Sequence, residues 1–481
     1  MVHPELLPET GLGRRIVQLS YPVLLAMLSQ TLINQVDHIL VGHLPQAEST
    51  PGQTAVQISQ ILLWMFGGFL SAITVGTQAM TARRAGAGDI EGAGAVSTNS
   101  VVVAVLSSLV VTALCYWATP TLFRLFNQDP AVLALGIPFL RWRFLQITGM
   151  VTTASLKAFF DGLGKTRVHM GAAITMNIAN FLLCVALIFG PDRPGLAGID
   201  AVHDVLVALF GPPPRMGVPG AGLASMISSY IGLAIMVAWS LRPVYRPYHM
   251  RRLRNLSART MGTIVRLSVP SGVATMFAMV GFGFVLYVVG ELDKRAGLGV
   301  GRTINATATS NIINVLMLVF ISCIAYGTAT ATLVSQSLGA RRAELAERYA
   351  YRAAELGAAF FFIVGLVISL WARPILRFWN PDPDVVQAAV PILRLLGLLT
   401  PLIAVALVFT QALYGAGNTV FVMVAELVLH FVCLIPLSYL LALGLDLGLW
   451  GAWGAMIVYL ALLASVMFFK FRTGTWKHIH I

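Results

Sequence analysis

Charge is scarce in this chain. Of its 481 residues only 11% are Asp, Glu, Lys or Arg, against about 25% in an ordinary soluble domain. Hydrophobic residues make up 57% and mean hydropathy is +0.80. These values exclude a soluble globular protein and point to a polytopic membrane protein. Cysteine is nearly absent too. Cys115, Cys184, Cys323 and Cys433 all fall inside apolar runs and none has CxxC spacing. They are expected to pack as small apolar residues, without disulfides or thiolate metal sites. No Walker P-loop is present, so the chain is not expected to hydrolyse ATP itself. HExxH and a convincing GxSxG context are also missing, which argues against an enzyme. The first residues, MVHPELLPETGLGRR, lack the h-region and cleavage site of a signal peptide, so the first span is expected to stay in the protein.

What the sequence does contain is long apolar runs. A bilayer core needs about 20 such residues per helix. Twelve stretches qualify: roughly 16–42, 56–82, 94–117, 132–158, 168–190, 217–241, 262–290, 303–336, 347–372, 387–414, 418–443 and 449–471. Runs this long favour helices over barrel strands, which are shorter and alternate. The net charge of +12 belongs to loops beside anionic lipid rather than to a nucleic-acid site. Placing both termini in the cytoplasm puts Arg14, Arg15, Arg83, Arg84, Lys165, Arg167, Arg341, Arg342 and Lys470 inside. The loop after the sixth run, with Arg242, Arg246, Arg251, Arg252, Arg254 and Arg259, joins them. The reading is therefore a multi-pass cell-membrane protein with cytoplasmic termini.

The two halves repeat in the same order. IVQLSYP at 16–22 matches IVRLSVP at 264–270, and NQDPAVLALGIPFLR at 127–141 matches NPDPDVVQAAVPILR at 380–394. GLGKT at 162–166 matches GAGNT at 415–419, both read as tight cytoplasmic turns. GVPGAG at 217–222 and GLWGAW at 448–453 lie closer together than the earlier pairs, so the first half carries an insertion near 191–215. PDRPG and GPPP there predict an irregular loop with a short apolar piece at 204–210. A parallel repeat of six spans predicts two lobes with a substrate path between them. The expected division is 1–241 for the N-terminal lobe, 242–261 for a basic cytoplasmic linker, and 262–481 for the C-terminal lobe.

The order of motifs resembles the multidrug and toxic compound extrusion (MATE) transporters of the MOP flippase superfamily. The stretches that carry it are Pro22 to VDHILVGHL, VGTQAMTARRAGAGD at 75–89, FFDGLGKTR at 159–167, NIANFLLCVALIFG at 177–190, GVPGAGLAS at 217–225 and ATLVSQSLGA at 331–340. The resemblance covers nearly the whole chain. It implies a V-shaped pair of six-helix bundles with a central cleft. Such a protein exports cationic amphipathic compounds in exchange for H+ or Na+ and needs no cofactor beyond that ion.

The resemblance places the family's coupling acid at Asp37 and an asparagine near that site at Asn180. An ionised carboxylate in a span costs about 3 kcal/mol on insertion scales, so it usually marks a path. Asn34 shares a face with Asp37, and Asn177 lies three residues before Asn180. Together they are candidates for a cation-coupling site, with Asp37 and Asn180 as sodium ligands if sodium is the ion. Departures from the family are clear. Cys184 stands where many members have aspartate, no glutamate occurs in PSGVATMFAMVGFG at 270–283, and no aspartate lies between Pro391 and Gln411.

Glu426 and His430 lie four apart in the eleventh run and are the candidate second ionisable site. The other reading of this pair is a hydrogen-bonded packing element. Met276, Phe277, Phe282, Tyr287, Asn311, Asn314 and Trp64 are candidates for the substrate cavity, because aromatic and thioether surfaces suit flat cations. A flippase for a lipid-linked precursor is the alternative in the same architecture. It calls for a cationic cavity, whereas most arginines here fall in loops and Asp37 and Glu426 make the interior acidic. A lipid-modifying membrane enzyme is the alternative of another class. The expected partners are a small cationic substrate and membrane lipid, with the protein acting as a monomer.

Overall fold

Local chemistry sets the helix ends, and it does so twice. The computed structural model describes residues 11–250, 252–296, 303–380, 382–479 and 481; the side chains of 32–37, 46, 197 and 253 lie outside that description. Asp129 caps the helix Pro130–Gly162: its Oδ1 accepts from Ala131 N at 2.8 Å, while Asn127 Oδ1 accepts from Asp129 N at 2.7 Å. Asp382 caps Pro383–Leu398 in the same way, accepting from Asp384 N at 2.9 Å with Asn380 behind it at 2.9 Å. Proline at the first helical position suits both, since its missing N–H has no partner to lose. The GLGKT and GAGNT turns also match. Gly164 (φ +73°) and Gly417 (φ +88°) take the left-handed conformation. Lys165 N donates to Phe160 O at 2.8 Å and Asn418 N to Leu413 O at 2.9 Å. Each pair closes its helix by a wide backbone ring.

Among the described residues the fold is entirely helical. Nine helices among the described residues are long and apolar enough to cross a membrane. A tenth span results if Pro383–Leu398 and Thr400–Ala416, bent by 53°, count as one. Leu12–Gly42 and Pro130–Gly162 are not among these, but have 31 and 33 residues. At about 1.5 Å per residue each exceeds a 30 Å core. Pro130–Gly162 differs in carrying Arg141, Arg143, Lys157 and Asp161.

The chain divides into two compact units. Leu25–Thr81 and Asp89–Arg266 form one, here the N unit. The described parts of Met1–Leu24, Ala82–Gly88 and Leu267–Ile481 form the other, the C unit. In the N unit one buried cluster joins Leu40, Val41 and Leu44 to Cys184, Val185, Ile188 and Phe189. Near the chain's end, buried Trp476 stacks on Phe471 and donates its indole N–H to Phe471 O at 2.6 Å. All four cysteines are free; three are buried and Cys433 is half-buried.

The insertion differs from expectation. A helix runs over Ala197–Phe210 instead of an irregular loop with a short piece at 204–210. Asp200 Oδ1 accepts from Gly195 N at 2.9 Å, which starts the helix, and buried His203 bonds Gly190 O at 2.9 Å, which ties it down. The basic segment after Val218–Ser240 is also structured. It forms short 3-10 turns at Pro243–Tyr248 and Leu253–Asn255. Buried Asn99 clamps it inside the N unit, donating to Asn255 O and accepting from Ser257 N, both at 2.8 Å.

Candidate functional site

Two asparagines on one helix face organise the interior of the N unit. Asn177 and Asn180, both buried, lie in Thr166–Phe189. Asn177 Nδ2 donates to Ser29 Oγ at 2.8 Å, and Asn180 Nδ2 donates to Ser225 Oγ at 3.2 Å. Among the described residues neither Oδ1 has a partner. Two buried carbonyl-type acceptors are thus left open, an arrangement that normally demands a guest or water. Burying such an acceptor without a partner costs about 1–3 kcal/mol.

The helix Leu12–Gly42 runs alongside. Ser29 meets Asn177, and further on Leu40 and Val41 join Val185 and Ile188 in one cluster. The two helices are therefore parallel, and the segment with Asn34 and Asp37 passes between these contacts. The side chains of Asn34 and Asp37 lie outside the described residues. Below Ser29 sits a cavity of about 200 Å³ whose polar lining is Gln30, Thr153, Lys157 and His169. Lys157 Nζ lies 3.2 Å from Asp161 Oδ2, and Asp161 is buried.

The N unit's interior is less one-sidedly acidic than the sequence reading has it. Arg143 is buried and donates to Gln60 Oε1 at 3.0 Å, and Lys157 lines the cavity. Both were legible as cations inside an apolar run, but their loop or interior placement depends on where that helix starts.

In the C unit Glu426 and His430 come together. His430 Nδ1 is 2.8 Å from Glu426 O and 3.5 Å from Glu426 Oε2. A carbonyl only accepts, so Nδ1 carries the hydrogen, and Nε2 is the basic nitrogen of the neutral ring. Nε2 is buried and has no partner among the described residues. Tyr459 OH donates to Glu426 Oε2 at 3.2 Å, and its ring lies 4.6 Å from the imidazole. Tyr414 lies near both Glu426 and Ser271. The ring is admitted by Gly281, where a Cβ would come within 2.3 Å of His430 Cδ2. His430 lies in a π-helical stretch, Leu429–Leu434, a feature frequent at functional sites. Sequence reasoning missed Tyr459, Tyr414, Ser29 and Ser225. Only Tyr414 had a local signal, as the polar residue just before the GAGNT turn.

The residues read as a substrate lining are spread out. Within the C unit Phe277 meets Phe431 edge-on at 5.5 Å, and Phe282 lies 6.5 Å from His430. Met276 and Tyr287 are exposed, Asn311 is buried and Asn314 half-buried. Trp64, in the N unit, is exposed on the π-helical turn Trp64–Gly68.

Comparison with known proteins agrees across the chain. The MatE family model matches residues 22–186 and 270–440. A probable multidrug resistance protein NorM of Thermotoga maritima is 24% identical over 98% of this chain and 94% of its own length. The multidrug resistance protein PmpM of Pseudomonas aeruginosa is 24% identical over 89% of this chain and 84% of its own. Among solved structures, an outward-facing multidrug resistance MATE family transporter of the MOP superfamily is similar with a TM-score of 0.83. It is 21% identical, over 98% of this chain and 97% of that one.

Proposed function

The chain belongs to the MatE family, and on that premise we propose that it is a secondary active antiporter. It exports cationic amphipathic drugs or toxic compounds in exchange for H+ or Na+. Membership makes it a membrane transporter rather than an enzyme. The multidrug names of its relatives support the class of cargo. In this reading the ten spans counted by composition and the two charged or partly described long helices make twelve. Both termini are cytoplasmic, and the protein works as a monomer by alternating access.

One observation carries the coupling assignment: the two open, buried oxygens of Asn177 and Asn180. Ser29 and Ser225 hold the amide N–H groups, which leaves both oxygens without a partner among the described residues. The neighbouring helix runs parallel and carries Asn34 and Asp37 past Asn180, on the side away from Ser29. Asp37 lies eight residues beyond Ser29, about 12 Å along the axis. That height matches Cys184 and Val185, one turn beyond Asn180. Sodium takes several oxygen ligands, and the two amide oxygens are of that kind. A proton needs the carboxylate of Asp37 alone. Either guest cancels a charge that is expensive inside a span and so biases the conformation of its lobe.

The test is efflux of a cationic dye from proteoliposomes under a proton gradient and, separately, a sodium gradient. Efflux driven by one of them supports the reading. Dye retention under both overturns it.

A further inference from the structure

We propose that the C unit holds its own proton-exchange site, formed by Glu426 and His430 with Tyr459 as hydrogen-bond donor, independent of Asp37. This goes beyond the coupling assigned to the N unit. It rests on a cluster of groups that the antiport reading does not use.

The geometry fixes the chemistry. His430 Nδ1 spends its hydrogen on Glu426 O, so Nε2 keeps a free lone pair in a fully buried ring. Glu426 is not sealed: its side chain remains 13% exposed, while that of His430 is at 0%. The glutamate side chain is thus less enclosed than the imidazole beside it. No Lys or Arg pairs with Glu426 among the described residues. Among the described residues its anion has one hydrogen bond, from the Tyr459 hydroxyl, with His430 Nδ1 farther off at 3.5 Å, a thin compensation for a charge within a membrane span. With a neutral ring, the pair carries one negative charge. One added proton, on the Glu426 carboxylate or on His430 Nε2, brings it to zero. No other bond forms or breaks.

The surroundings add few competing titratable groups. Tyr459 comes from Gly448–Arg472, Tyr414 from Thr400–Ala416 and Cys433 from the site's own helix, Thr419–Gly444. Ala258–Arg295 contributes Gly281, Phe282 and the hydroxyl of Ser271, none of which changes charge there. The glutamate, imidazole and phenols therefore form a compact acid–base group. The π-helical turns Leu429–Leu434 and Leu440–Gly444 interrupt the helix that carries it. Such turns replace regular α-helical bonds and are frequent at functional sites. His430 thus sits in an interruption of its helix.

Infrared difference spectroscopy of the purified protein in lipid tests this directly, with pH stepped from about 5 to 8, the range in which imidazole and shifted carboxyl groups exchange. A protonated-carboxyl band should appear on acidification in the wild type and persist in Asp37→Asn. Glu426→Gln, which keeps an acceptor for Tyr459, should remove one component of that band, the component that Asp37→Asn leaves in place, and Tyr459→Phe should move the midpoint of that component. Size-exclusion profiles identify any variant that fails to fold; if Glu426→Gln fails, Tyr459→Phe and His430→Gln decide by the same shift of midpoint. A wild-type band and midpoint in folded Glu426→Gln, or in both of the other variants, overturns the proposal. So does loss of the whole titration in Asp37→Asn. Because no drug or gradient is involved, this outcome is separate from that of the efflux assay.

Discussion

Asn177 donates its side-chain N–H to Ser29 Oγ at 2.8 Å, locking the fifth long helix to the first and leaving its own Oδ1 open. The bond fixes the amide orientation, because a hydroxyl that must also satisfy Ala26 O, at 2.8 Å, accepts from Asn177. The open oxygen is thus a consequence of the packing.

That bond gives a first prediction. Asn177→Ala removes an acceptor without adding bulk. Ion activation of transport should weaken by roughly tenfold, equivalent to about 1.4 kcal/mol for one lost ligand. Ser225→Ala removes only the orienting hydroxyl of Asn180 and should cost less. Concentration–activation curves in proteoliposomes measure both.

Gly281 yields a second prediction through sterics alone. A methyl group there would come within 2.3 Å of His430 Cδ2. Gly281→Ala should therefore destabilise the protein by about 1–3 kcal/mol, the usual cost of overpacking. The double variant Gly281→Ala/His430→Ala should recover much of that loss. Thermal unfolding in detergent follows both.

A third prediction concerns the repeated caps. Asp129→Ala and Asp382→Ala each delete one side-chain acceptor at a helix start. Each should lower stability by about 1 kcal/mol. The double variant should show the sum, since the caps lie in different units and share no partner.

The fourth follows from Asn99, whose amide grips the basic segment at Asn255 and Ser257. Asn99→Ala should free this segment and speed trypsin cleavage after Arg252 and Arg254. An unchanged cleavage rate would mean that the other contacts, such as Thr98 Oγ1 to Met250 O at 2.7 Å, suffice.

Much of the scaffold was readable because its determinants are local. The NQDP and NPDP caps and the two glycine turns are set by residues within five positions of each other, so the repeat in sequence reappears as a repeat in geometry. Glu426 and His430 were also legible, being four apart on one helix. Their partner was not: Tyr459 lies 33 residues away on another helix, and nothing in its neighbours marks it. The Ser29–Asn177 bond spans 148 residues and depends on two helices being parallel neighbours. The helix Ala197–Phe210 was hidden by Pro and Gly on both sides, although Asp200 is the acid that starts it.

The measurement that bears most directly on the account is gradient-driven efflux of a cationic drug by Asp37→Asn beside the wild type, at matched protein content in the same proteoliposomes. The account predicts that the variant still binds drug but loses the acceleration given by the proton or sodium gradient. Wild-type acceleration in Asp37→Asn would contradict it.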